Sequence, residues 1–131
     1  MRPEPAVDWP LVDDPWGARL GIRTVPAGQG DADLVLELNQ DHMNFLDGAH
    51  GGVLFSLAQM AVRKVARDSG REPTLVDAHL ALTAGGVRGD VFSASVAPIK
   101  VGRSLGVYGV TVTKGDGVVV GQLTATVRFD S

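Results

Sequence analysis

The sequence of 131 residues contains no cysteine, and this absence excludes every chemistry that needs a thiol. The chain can form no disulfide bond, use no cysteine nucleophile and bind no metal through cysteine. A chain without disulfides is compatible with a reducing compartment such as the cytosol, although the absence alone does not point to one.

Positive charge is also scarce. The formal net charge is −3, the sequence pI is about 5.5, and the longest basic run is the pair Arg63 and Lys64. A nucleic-acid-binding domain usually carries a basic face, so we expect no nucleic acid as a partner.

Long apolar runs are missing as well. None approaches the roughly 18 residues that suggest a membrane span, so we expect no membrane partner. Residues 1–16 contain four prolines among acidic residues, where a signal peptide would have a basic start and an apolar stretch. We therefore expect a cytoplasmic protein.

What the chain does contain is the composition of an ordinary folded domain. Hydrophobic residues make up 44% of the sequence and charged residues 21%, close to the averages for globular proteins. A chain of this length buries most of its surface around one core. We predict an N-terminal arm over residues 1–13 and a single domain over residues 14–131.

Hydrophobic patterning predicts one long helix and a set of strands. Residues 51–68 are apolar almost all round, which is typical of an enclosed helix, and Gly70 marks its end. A short helix is predicted within residues 11–20, and strands are predicted at residues 21–25, 32–39, 74–83, 90–100, 103–113 and 118–128. The pattern indicates an α+β fold in which a four-stranded meander follows the helix and wraps around it.

Two glycines, Gly51 and Gly52, open the long helix. The first N–H groups of a helix lack internal partners and carry the positive end of its dipole, so an anion or a developing oxyanion is favoured there. Glycine also lets a ligand approach the backbone closely. The alternative is that the pair only permits a tight turn into the helix.

A polar stripe runs along the predicted helix. Ser56, Gln59 and Arg63 follow the i, i+3, i+7 spacing of one helix face. A long amide in an enclosed helix needs hydrogen-bond partners, which are a substrate, a water molecule or the backbone of another chain.

Several stretches resemble the hotdog-fold acyl-CoA thioesterases of the phenylacetate-degradation (PaaI-like) type. The resemblance begins with Asn44, continues through the triplet at residues 50–52 and the segment at residues 54–58, and includes the segments at residues 20–22, 87–90 and 101–104. It implies a hotdog fold, which is an antiparallel sheet wrapped around one long central helix. It also implies a homodimer, paired into a homotetramer, with active sites at the dimer seam.

The resemblance assigns roles to individual residues. It implies that the N–H of Gly51 polarises the thioester carbonyl, that Asn44 shapes the loop and the acyl pocket, and that His50 anchors the loop. It also implies that coenzyme A is bound as part of the substrate and that the chain needs no separate cofactor. The residues implied to contact coenzyme A near its phosphates are Gly52, Arg103 and Ser104.

The sequence departs from the family at Gln59, where these thioesterases usually carry Asp or Glu. An amide orients water by hydrogen bonds, but it cannot accept a proton, and it forgoes the roughly 10²- to 10⁴-fold that acid–base assistance contributes. We therefore expect an impaired thioesterase acting on a small acyl- or aryl-acyl-CoA. The alternative is a non-hydrolytic protein that binds acyl-CoA or an acyl carrier.

A replacement acid–base pair is one further hypothesis. Leu75, Asp77 and His79 alternate along a strand, so they are predicted to share one face. Asp77 with His79 would then supply the missing carboxylate, or would serve a third candidate function, a hotdog dehydratase. The alternative is that both side chains only pack within the sheet, and Asp47 is a weaker candidate.

Two other patterns carry no function. Residues 102–106 match a nucleophile elbow, but a strand follows where that motif needs a helix, and no histidine follows Ser104. Asp41, His42, Asp47 and His50 match no ligand spacing of helices or hairpins, so we expect no metal.

Overall fold

The computed structural model describes residues 9–130, which form two α-helices and six β-strands. The helices are α1 (Pro15–Leu20) and α2 (Gly51–Asp68). The strands are β1 (Arg23–Thr24), β2 (Leu34–Glu37), β3 (Glu72–Leu82), β4 (Val91–Val101), β5 (Leu105–Thr113) and β6 (Val119–Asp130). The predicted long helix is confirmed to the residue, and the predicted strands are each confirmed with shifted ends.

The six strands form one antiparallel sheet in the order β1-β2-β4-β5-β6-β3. The prediction of a four-stranded meander is wrong for β3, which pairs with β6 at the sheet edge and not with β4. Alternating hydrophobicity identifies a strand but does not encode its neighbour. Residues 83–90 therefore carry the chain across one end of the sheet, from the β3 edge to the middle.

This crossing segment passes the start of α2. Its Gly86 carbonyl accepts a hydrogen bond from the Ala49 N–H at 2.9 Å, and the Thr83 N–H donates to the Val120 carbonyl at 3.0 Å. The first turn of α2 therefore lies beside this end of the sheet.

One face of the sheet packs against α2. The helix contributes Leu54, Leu57 and Ala61 to the core, and β6 contributes every second residue, from Leu123 to Val127. Fully burying a side chain such as leucine stabilises a fold by roughly 1.5–3 kcal/mol, so this contact surface dominates the stability of the domain.

The interpretation of α2 as enclosed on all sides is only partly correct. A stripe made of Gly52, Phe55, Gln59 and Arg63 stays exposed or half-buried. These four residues recur every three or four positions, so they share one side of the helix, opposite the sheet. We call this side the outward stripe of α2.

Helix α1 packs beside the outward stripe. Asp14 caps its first turn, because its side chain accepts the Gly17 N–H at 2.9 Å, and Gly21 ends it with a left-handed φ of 88°. The predicted short helix is thus confirmed. Gly17 is buried between Met60 of α2 and Val12.

The predicted N-terminal arm falls partly outside the described residues, because residues 1–8 are not among them. Residues 10–13 contact the domain. Leu11 bridges to Arg23, and the Val12 N–H donates to the Ile22 carbonyl at 3.0 Å. Asp13 accepts a hydrogen bond from Arg63 at 2.8 Å, and that bond lowers the pKa of the Asp13 carboxyl below its usual value.

Replacing Gly17 by alanine tests the close packing of α1 on α2. The added methyl group would lie 2.4 Å from Met60 Sδ and 2.6 Å from Val12 Cγ2, so α1 or these two side chains must shift. We expect Gly17→Ala to lower the free energy of unfolding in urea by about 1–3 kcal/mol. Gly85→Ala, where nothing lies within 4 Å of the new methyl group, is the matched control. An equal loss in both variants would contradict the packing argument.

Candidate active site

The loop before α2 is shaped by Asn44. Its side-chain oxygen accepts the N–H groups of Leu46 at 2.9 Å and Gly48 at 3.1 Å, and its own N–H donates to the Gly48 carbonyl at 2.7 Å. Asp47 takes a left-handed φ of 61° at the tip of the loop. Asn and Asp are the residue types that tolerate such turns through local hydrogen bonds.

Arg88 ties this loop to the crossing segment, and sequence reasoning missed it. Its guanidinium donates to Gln40 Oε1 at 2.6 Å and to Asp47 Oδ2 at 3.2 Å. The pair with Asp47 is exposed, so its energy is small. No periodicity links positions 47 and 88, and the contact exists only because the segment crosses the end of the sheet.

His50 is the N-cap of α2. Its backbone is extended, and its Nδ1 atom accepts the Gly52 N–H at 2.8 Å. The neutral ring that accepts at Nδ1 carries its hydrogen on Nε2. The Gly52 N–H therefore already has an acceptor, because an N-cap side chain satisfies one of the first N–H groups of its own helix, and the contact of Gly52 with coenzyme A stays a prediction.

The N–H of Gly51 has a different environment. Within residues 9–130 it makes no hydrogen bond to the protein. Gly51 also lines a cleft of about 330 Å³, whose other walls include Ala49, Leu54, Leu82, Thr83 and Phe92. A helix N-terminus with an available N–H beside a cleft is suited to an acceptor that carries negative charge.

Gln59 is half-buried on the outward stripe. Its side chain makes no hydrogen bond within the described part of the chain. Eight residues separate it from Gly51, which is about 12 Å along a helix with a rise of 1.5 Å per residue. One chain therefore does not bring the Gly51 N–H and the Gln59 amide to the same atom.

The other members of the predicted polar stripe have protein partners. Ser56 Oγ donates to the Gly52 carbonyl at 2.9 Å and accepts the Trp16 Nε1–H at 2.9 Å. Arg63 is paired with Asp13, and that hydrogen bond raises the pKa of its guanidinium. Ser56 and Arg63 therefore fasten α1 and the preceding segment to α2.

The prediction that Leu75, Asp77 and His79 share one face is wrong. Val76 is an extra residue between two paired positions, so Leu75 pairs with Val127 but Asp77 pairs with Thr126. A bulge of this kind reverses the alternation of side chains. Leu75 consequently faces α2, whereas Asp77 and His79 lie on the opposite face of the sheet, away from Gly51.

Arg103 and Ser104 lie in the exposed turn between β4 and β5. The turn is held by Arg71, which follows α2 and donates to the Gly102 and Arg103 carbonyls. It adjoins Arg128 of β6, whereas Gly51 adjoins the Leu82–Gly121 pair. Seven residues of strand, about 23 Å, separate these two positions, so a single chain does not place Arg103 beside Gly51.

His42 serves the structure of the loop. It is buried, its Nδ1 accepts the Asn39 N–H at 2.8 Å, and its Nε2 contacts the Leu20 carbonyl at 2.7 Å. With both ring nitrogens engaged, it is not available to ligate a metal. Strand β5 begins directly after Ser104, so the helix that a nucleophile elbow requires is not formed there.

A family model described as the N-terminal domain of acyl-CoA thioesterases matches residues 39–128. No curated protein sequence is similar enough to count as a match. Within residues 9–130, no helix is long and apolar enough to cross a membrane.

Several solved structures are similar to this chain. The PaaI protein of E. coli superposes with a TM-score of 0.83 at 20% identity, over 91% of this chain and 86% of that one. The TT0310 protein of Thermus thermophilus gives 0.80 at 24% identity, over 89% and 98%. The smu.793 protein of Streptococcus mutans, solved with acetyl CoA, gives 0.73 at 23% identity, over 75% and 79%. These similarities confirm the hotdog fold.

Replacing His50 distinguishes a capping role from a proton-transfer role. His50→Ala leaves the Gly52 N–H without its acceptor, so we expect the free energy of unfolding in urea to fall by about 0.5–2 kcal/mol. His50→Asn, which caps but does not exchange protons, should retain both the stability and the rate of thioester hydrolysis. A rate for His50→Asn as low as that of a buffer blank would assign proton transfer to the ring.

Proposed function

The chain belongs to the acyl-CoA thioesterase family, and we propose that it hydrolyses a small acyl- or aryl-acyl-CoA. The observation that carries the proposal is the Gly51 N–H, which has no partner within the described chain, while Gly51 itself lines a cleft at the start of α2. The acetyl CoA bound by the Streptococcus mutans relative supports a coenzyme A thioester as the ligand.

The N–H of Gly51 would act on the thioester carbonyl. Attack by water forms a carbon–oxygen bond and places negative charge on the carbonyl oxygen, which this N–H and the helix dipole stabilise. The carbon–sulfur bond then breaks, coenzyme A leaves, and the proton lost by water passes to the leaving thiolate or to solvent. Removing one such donor typically costs about 10²- to 10³-fold in rate.

Gln59 would position the attacking water and not deprotonate it. Its amide oxygen is an acceptor for a water O–H, and its NH₂ group is a donor. Without a carboxylate the reaction lacks general-base assistance, so we infer slow hydrolysis. Asp77 and His79 do not compensate, because they lie on the other face of the sheet. That position also removes the support for a dehydratase.

We propose that a second copy completes the site. A twofold dimer with antiparallel α2 helices would place Gly51 of one subunit opposite Gln59 of the other. Phe55, midway between these positions and half-buried on the outward stripe, would then lie near the axis. Strand β3 supports pairing, because it is an edge strand with Leu75 and Val76 exposed. Two dimers would pair into a tetramer.

The same arrangement accounts for Arg103. Arg103 lies at the end of the sheet near the C-terminus of α2. Antiparallel pairing would bring this end of the sheet to the Gly51 end of the other subunit. Its exposed guanidinium would there contact the phosphates of coenzyme A, with Ser104 beside it. We place the reaction in the cytoplasm, in keeping with a chain that contains no cysteine.

A second candidate function is binding without hydrolysis. Gln59 favours it, because an amide at this position cannot accept the proton that water must lose. Such a protein would hold acyl-CoA or an acyl carrier with its thioester intact.

Restoring a carboxylate at position 59 separates the two candidates. We expect Gln59→Asp to hydrolyse phenylacetyl-CoA about 10²- to 10⁴-fold faster than the wild type, because the carboxylate supplies a general base. Release of free coenzyme A thiol measures the rate, and Gln59→Asn, of the same size without the charge, should show no gain. If phenacyl-CoA, a non-hydrolysable thioether, binds by calorimetry but Gln59→Asp shows no gain, the binding function is favoured.

Mixing two defective subunits tests the shared site. Gly51→Pro removes the N–H at a helix position that accepts proline, and Gly51→Ala, which keeps the N–H, is its control. Gln59→Leu removes the water-orienting amide. Gly51→Pro and Gln59→Leu should each be inactive alone in the thiol-release assay, whereas Gly51→Ala should stay active. Equimolar mixtures refolded together should recover about a quarter of wild-type activity, because half the dimers then hold one intact site. No recovery from mixtures that do exchange subunits would contradict a site built from two chains.

A further inference from the structure

Trp16 presents a large apolar surface beside the outward stripe of α2. Its side chain is 55% exposed, although its ring nitrogen is engaged: Nε1–H donates to Ser56 Oγ at 2.9 Å. Ser56 in turn donates to the Gly52 carbonyl at 2.9 Å. The indole is therefore tied, through one hydroxyl, to the first turn of the helix that begins at Gly51.

The backbone that carries Trp16 is also held in place. Asp14 caps the start of α1, Gly21 ends the helix, and Gly17 packs against Met60 without room for a methyl group. A side chain on so short and tightly packed a helix has few alternative positions. An exposed aromatic ring that is fixed at low entropic cost is typical of a recognition surface.

Trp16 lies close to the residue that we assign to water. Ser56 precedes Gln59 by three residues, about 4.5 Å along the helix, and both belong to the same side of α2. The hydroxyl that holds the indole therefore lies within one turn of α2 from Gln59. In the proposed dimer Trp16 and Gln59 come from one subunit and Gly51 from the other.

Charge near the end of α2 indicates how the substrate would lie. On the C-terminal side of Gln59, Arg63 and Arg67 are engaged in ion pairs with Asp13 and Glu72, and the exposed Arg103 lies beyond the helix end. On the N-terminal side lie Phe55 and Trp16. The coenzyme A part of a thioester is anionic and the acyl part is apolar, so the acyl group belongs at the Trp16 end.

We propose that Trp16 is a wall of the acyl pocket and determines the preference for flat, aromatic acyl groups. This inference rests on the proposed function and adds to it the class of acyl group. An aryl ring stacked on the indole gains an offset or edge-to-face contact that an acetyl group cannot make. Trp16 acts here as a specificity residue, and it takes no part in proton transfer.

Fluorescence reports the contact directly, because the chain has two tryptophans. Trp9→Phe leaves Trp16 as the only indole, and Trp16→Phe leaves Trp9, which lines a separate groove with Val25 and Val35. We expect saturating phenacyl-CoA to change the emission of Trp9→Phe and to leave that of Trp16→Phe unchanged. Coenzyme A alone, which lacks the acyl group, should change neither.

Kinetics report the preference. Trp16→Leu should raise KM for phenylacetyl-CoA about two- to tenfold more than KM for acetyl-CoA, because an aromatic contact of ordinary strength is lost. Ser56→Ala, which frees the indole without removing it, should shift the same ratio by less. Trp9→Phe is the control, with no change in the ratio.

The outcomes separate this inference from the proposed function. One outcome is that phenacyl-CoA binds Trp9→Phe in calorimetry without changing the emission of that variant, and that Trp16→Leu keeps the wild-type ratio of KM values. Trp16 is then not a pocket wall, and the thioesterase proposal stands. If phenacyl-CoA and coenzyme A both fail to bind the wild-type protein, the two proposals are overturned together.

Discussion

The first turn of an α-helix exposes N–H groups that the helix itself cannot satisfy, and the site in this chain depends on how two of them are divided. His50 accepts the N–H of Gly52, which closes the cap and secures the start of α2. The N–H of Gly51 has no acceptor within the described chain, and Gly51 lines the cleft. The N–H that closes the cap and the N–H that remains available to a ligand thus belong to adjacent residues.

The geometry of α2 makes the proposed site depend on a second copy of the chain. Gly51 and Gln59 belong to one rigid helix, and eight residues of rise, about 12 Å, keep them apart in any single chain. The same helix buries its opposite side against the sheet, so only the outward stripe is available to a second copy. The proposed activity therefore requires assembly, because the stripe that would contact a second copy also carries Gln59.

The segments around α2 contribute through contacts between residues distant in sequence. Arg88 holds the loop at Asp47 because the chain crosses the end of the sheet after β3. Trp16 reaches Ser56 because α1 returns over the helix, and Arg63 is paired with Asp13 for the same reason. Each of these contacts is exposed or half-buried and weak by itself, yet together they position the loop and the Trp16 ring beside the helix.

The sequence by itself determined the helix, the strands and the residues at the start of α2. Apolar patterning, the glycine pair and Gly70 are local signals, so Gly51–Asp68 was predictable to the residue. Gln59 stands out because the resemblance implies Asp or Glu at this position. The tertiary structure alone decided that β3 pairs with β6, that the extra residue Val76 turns Asp77 and His79 away from α2, and that His50 accepts the hydrogen bond of the Gly52 N–H. Strand pairing, bulges and capping by a flexible ring depend on three-dimensional neighbours, and a linear pattern carries no information about neighbours that are far apart in the chain.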